Sequence, residues 1–135
     1  MRKINTFMNY VTDTHSLVWY LTEDNRLSKN ALRAFEATVQ TGTIYIPALV
    51  LAEIQFISKK GKIVLSFEET LERVLSLKNF KFVPLDFSIL KIANQIKPNL
   101  EMHDKLIVAT AIHLEASLIT KDEDITLSNA VSVVW

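Results

Sequence analysis

Short apolar runs alternate along this chain with longer stretches in which apolar residues return every three or four positions. Runs of the first kind have the length of buried strands, and stretches of the second kind have the period of helices. Tyr10 to Asp13, Ile44 to Ile46, Phe80 to Leu85, Leu118 to Thr120 and Val131 to Val134 read as strands. Thr14 or Ser16 is placed to cap a short helix carrying Leu17, Val18 and Leu21. Ser28 starts a second helix, with Ala31, Leu32, Phe35 and Val39 inward and Gly42 as its stop. Pro47 suits the first position of a helix that carries Glu53 and ends before Gly61. Ser66 and Glu69 form a capping box ahead of Leu71, Val74 and Leu75, and Asp86 or Ser88 caps a helix running through Ile89, Ile92, Ala93 and Ile96 to Pro98. A last helix runs from about Asp104 to Glu115, and KDEDITLSN reads as a polar loop. Short strands separated by helices predict an α/β fold, a mainly parallel central sheet sandwiched between helices in three layers.

Composition narrows the chemistry more than the fold. A chain of 135 residues, 49% of them hydrophobic, has the length and the apolar content of a single domain over residues 1–135, with residues 1–7 as a loose N-terminal tail. With no cysteine there is no disulfide framework, thiolate metal site or thiol nucleophile, which suits a reducing cytoplasm. No run approaches the roughly 18 residues of a membrane span, so a cytoplasmic protein with no membrane partner is expected. Fifteen basic residues balance fifteen acidic ones, so affinity for a polyanion has to come from local basic patches.

Four carboxylates stand out against this background. Asp13 and Asp122 each follow a strand-like run, which puts them at the carboxyl edge of the sheet, where α/β proteins bind ligands. Glu53 has Leu49, Val50, Phe56 and Ile57 three and four positions away, and Asp104 has Ile107 and Val108, so both sit towards the core side of their helices. A carboxylate left unpaired there costs several kcal/mol or takes up a proton. A shared divalent cation offsets that cost, and an all-oxygen donor set selects Mg2+ or Mn2+. Taken singly, Asp13 and Asp104 fit helix caps and Asp122 fits a solvated turn; it is their joint order that argues for a site.

The residues around these acids resemble those of the PIN domain, most closely the VapC-class toxins of type II toxin–antitoxin systems. VTDTHSLVWYL is similar to that class's strand-Asp-Thr-helix opening, LAEI to its helix Glu, DKLIVATA to its Asp-Arg-Leu-Ile helix and LITKDEDI to its closing Thr-Lys-Asp-Glu, so the resemblance runs from about Tyr10 to Trp135. It implies that Asp13, Glu53, Asp104 and Asp122 bind one or two Mg2+ or Mn2+ ions and catalyse cleavage of RNA. Asp124 is a further candidate ligand, Thr12, Thr14 and Thr120 are supporting hydroxyls, and Lys105 and Lys121 are candidate substrate contacts. A small antitoxin protein and a homodimer are the implied partners, with Leu17, Trp19, Tyr20 and Leu21, or Ala31, Phe35 and Val39, as candidate interface surfaces. Two departures stand out: no proline precedes Asp104 in the run Glu101, Met102, His103, and Lys105 replaces the usual Arg, losing a bidentate fork.

Two other readings compete. An inactive PIN scaffold that binds RNA or a protein would show an eroded quartet, and this one is intact. A phosphatase or receiver-like phosphoacceptor built on Asp13 needs an acid immediately before it or two positions after it, where this chain has Thr12 and His15.

Overall fold

The computed structural model describes residues 8–62, 64–97 and 99–135; the expected tail, residues 1–7, and the expected helix stop, Pro98, lie outside them. Among the described residues five strands form one sheet: β1 (Met8–Thr12), β2 (Gly42–Pro47), β3 (Phe80–Val83), β4 (Ser117–Ile119) and β5 (Val133–Val134). Their order is β3-β2-β1-β4-β5 and every pairing is parallel. Seven helices connect and cover them: α1 (Thr14–Leu21), α2 (Lys29–Thr41), α3 (Ala48–Lys59), α4 (Phe67–Leu75), α5 (Phe87–Gln95), α6 (Met102–His113) and α7 (Glu123–Ser128). The result is the expected three-layer α/β arrangement.

Strands buried between helices need apolar residues on both faces. Val11, Ile44, Ile46, Leu118 and Ile119 are accordingly sealed from solvent, with Leu17, Phe35, Val50, Ile54, Val108 and Ala111 closing over them. A smaller cluster of Ile89, Ala93, Leu106 and Ala109 binds α5 to α6. Gly42 opens β2 opposite Met8, and a Cβ there would stand 2.0 Å from the Met8 carbonyl oxygen, so the residue is required by close approach. The Ser66–Glu69 capping box forms as expected, and Ser28 and Asp86 cap α2 and α5.

Several expectations change in detail. The cap of α1 is Asp13 itself, not Thr14 or Ser16, and Pro47 ends β2 as the N-cap of α3. The inward face of α2 is Ala31, Ala34, Phe35 and Thr38, leaving Leu32 and Val39 exposed. Small residues let α2 lie close on the sheet, and the buried Thr38 hydroxyl is satisfied by Asn79 Nδ2 at 2.8 Å. KDEDITLSN is not all loop: Asp122 caps α7 within it, and Asn129 ends that helix at φ 55°. α6 begins two residues before Asp104, which makes Asp104 a first-turn residue and not a cap. Of the surfaces expected to serve partners, Leu17, Ala31 and Phe35 are core residues. Trp19, Tyr20 and Leu21 do reach the surface, lining a groove of about 590 Å3 with Leu27, Leu32 and Leu77.

Candidate active site

From β1, at the centre of the sheet, β2 and β3 lie on one side and β4 and β5 on the other. At such a switch point the loops leaving neighbouring strands diverge and open a crevice at their carboxyl ends. Asp13 stands there directly after β1, and Thr120 and Asp122 follow β4. The register Thr12↔Ile119 brings Asp13 level with Thr120, whose hydroxyl donates to Asp13 Oδ2 at 2.5 Å. The other oxygen, Oδ1, accepts from the Ser16 backbone N–H at 2.9 Å. Asp122 is fixed in the same way, with its Oδ1 accepting from Ile125 N–H at 2.9 Å and its own N–H donating to Thr120 Oγ1 at 3.1 Å. Both strand-end acids are thus held as helix caps while they face the crevice.

α3 and α6 bring the remaining two. Glu53 Oε1 accepts from the Thr14 hydroxyl at the start of α1, one of the expected supporting hydroxyls. Asp104, in the first turn of α6, lies in the favourable field of the helix N-terminus. Asp13, Glu53, Asp104 and Asp122 all line one cleft of about 220 Å3, with Thr14, Thr120, His15, Glu101 and His103 around them and Ile107 and Ile125 as apolar wall. Four hollows of about 400 to 620 Å3 are larger, yet none of them gathers these acids.

Among the described residues no Lys or Arg lines this cleft, so its negative charge has no built-in counter-ion. Burial pushes the Asp13 carboxyl above its ordinary value, against the pull of Ser16 and Thr120. Asp104 is also raised, first by burial; His103 counteracts this, and the charges of Asp122, Glu101 and Glu53 add to it. Such strain is what a divalent cation relieves, and carboxylate oxygens brought to one cleft from four elements are donors that suit a hard divalent cation.

Not every candidate belongs to this cleft. Thr12 is fully buried, and its hydroxyl donates to the Asp13 carbonyl, since adjacent residues of an extended chain face opposite ways. Asp124 lines a separate hollow with Gln95, Lys97 and Leu127, away from the other acids. Lys105 lies in a shallow depression with Leu90, Asn94 and Met102, because one helical residue beyond Asp104 turns the side chain about 100° away. Lys121 is exposed next to the cleft, its Nζ 6.0 Å from the Trp19 ring. Conversely, Glu101 and His103 were expected to form the loop before the helix, yet both line the cleft, His103 from the first turn of α6. The start of α6 two residues before Asp104, with Glu101 as its N-cap, is what places them there.

The same fold occurs in solved toxin–antitoxin assemblies. VapBC2 of Rickettsia felis, bound to a promoter DNA fragment, has a chain that aligns with a TM-score of 0.69 at 19% identity, over 93% of this chain and 97% of that one. A toxin–antitoxin complex from Klebsiella pneumoniae aligns with a TM-score of 0.64 at 22% identity, covering 93% and 96%. DNA-bound VapBC of Salmonella typhimurium gives 0.67 at 15%, covering 93% and 96%. No curated protein matches the sequence. The family pattern of the PIN domain matches residues 10–129. With that match over most of its length, the chain belongs to the PIN domain family.

Proposed function

We propose that this protein is a metal-dependent endoribonuclease, the toxin of a type II toxin–antitoxin pair. The observation that carries the reading is the convergence of Asp13, Glu53, Asp104 and Asp122, from four different elements, on a cleft without a Lys or Arg among the described residues. PIN membership supports nuclease chemistry, and the toxin–antitoxin complexes among the structural relatives support a small antitoxin protein as partner.

In this reading the four carboxylates hold Mg2+ or Mn2+. Held there, such an ion would supply Lewis-acid activation of a water and stabilisation of the oxyanion leaving an RNA phosphodiester. The protein's own part is positioning. Ser16 N–H and Thr120 fix both oxygens of Asp13, Thr14 fixes Glu53, and the α7 N-terminus fixes Asp122, so the donors are arranged before ligand arrives. Lys121 is the cation best placed to meet the RNA backbone, and His15 and Trp19, with ring centroids 5.7 Å apart, offer aromatic surface next to it. The groove of Trp19, Tyr20 and Leu21 suits an apolar antitoxin segment. For a homodimer, the exposed apolar residues Leu85, Phe87, Leu90 and Met102 at the α5–α6 end offer the surface.

Production in bacterial cells without the antitoxin tests the toxin reading. The wild type should arrest growth and Glu53→Gln should be tolerated at equal protein level. Equal toxicity of the two would show that arrest does not need this cleft.

A further inference from the structure

His103 stands among the quartet at distances that are neither hydrogen bonds nor ordinary separation. Its Nε2 lies 3.6 Å from Asp104 Oδ1 and 3.9 Å from Glu53 Oε2. Hydrogen bonds between such atoms close to about 2.7–3.2 Å, so the imidazole stands at ion-pair distance from both carboxylates without hydrogen-bonding to either. Atoms sharing one ion at about 2.1 Å stand between roughly 3.0 Å apart when adjacent and 4.2 Å when opposite, and both separations fall in that span. At the ring's other nitrogen, Glu101 Oε2 lies 3.9 Å from Nδ1. Glu101, His103 and Asp104 also form a group whose ligand atoms lie within 4.8 Å of one another.

We infer that His103 is a further metal ligand of the proposed nuclease site, binding through Nε2 beside Glu53 and Asp104. The inference rests on the metal-site reading above and adds a nitrogen to its oxygen donors. Imidazole binds first-row transition ions far better than Mg2+, so the site prefers Mn2+. The residue that distinguishes the two metals is therefore His103, and not a member of the acidic quartet.

Pulsed electron paramagnetic resonance of Mn2+ added to the metal-free full-length protein tests this without any activity measurement. The wild type should show 14N modulation from a coordinated imidazole, which His103→Gln abolishes and His15→Ala retains. In parallel titrations His103→Gln should lower Mn2+ affinity about tenfold or more and Mg2+ affinity much less. Stoichiometric Mn2+ binding without nitrogen coupling in the wild type would overturn the role of His103 and leave the carboxylate site standing. Coupling that survives in His103→Gln and disappears in His15→Ala would also overturn it. Failure of the wild type to bind Mn2+ at all would instead remove the metal site itself.

Discussion

At Asp13 one carboxylate closes a helix end and faces the cleft, and the two roles can be separated. Asn caps a helix as well as Asp does, so Asp13→Asn should keep the bond from Ser16 N–H and the fold while removing the buried charge. A carboxyl raised by burial binds its proton more tightly folded than unfolded. Ionising it therefore costs stability, and metal-free stability falls as pH rises above the unfolded value of about 4. Asp104 contributes with the same sign. Thermal melts in chelator between pH 4 and 8 should show the wild type losing stability with rising pH and Asp13→Asn losing less. Parallel curves for the two proteins would mean that Asp13 carries no such penalty. Asp13 and Asp122 are legible in the sequence as acids that follow strand-like runs, and Glu53 and Asp104 as acids on apolar helix faces. His103 and Glu101 break no such pattern, and only the start of α6 at Met102 brings them to the rim of the cleft.

For the elements, legibility follows how much apolar surface each one buries. All five strands and the helices α1 to α6 are visible in the sequence because the sheet demands apolar runs and the helices on it demand a stripe. α7 was hidden: it buries Ile125 alone and leaves Leu127 exposed, so it has no periodicity to read and is held at its start by the Asp122 cap. The phase of α2 differs from the expected one for a related reason. Leu32 and Val39 are apolar enough to look inward, but the sheet accepts the smaller Ala34 and Thr38, which allow closer approach. Close approach also governs the opening of β2, where Gly42 meets Met8. Gly42→Ala forces its methyl group against the Met8 carbonyl and should cost about 1–3 kcal/mol, the range for overpacking a fitted contact. Urea unfolding measures this; an unchanged midpoint would mean that the start of β1 yields freely.

Across the whole molecule, fifteen basic and fifteen acidic residues leave no net field to draw in a polyanion, so under the proposed function RNA binding would depend on metal and on few cations. Lys121 borders the cleft and Lys105 faces another depression, so the two should behave differently. Lys121→Ala should lower the salt slope of single-stranded RNA binding in Mn2+ by about 0.7, the loss of one phosphate contact, while Lys105→Ala leaves it unchanged. Equal effects of the two substitutions would place the RNA path elsewhere. The central claim is that the acidic cleft is a metal-dependent nuclease site, and cleavage of single-stranded RNA by the purified protein tests it most directly. The wild type should cleave in Mg2+ or Mn2+ and stop in chelator, and folded Asp13→Asn should be inactive under every condition. Cleavage that persists in chelator, or equally in Asp13→Asn, would contradict the account.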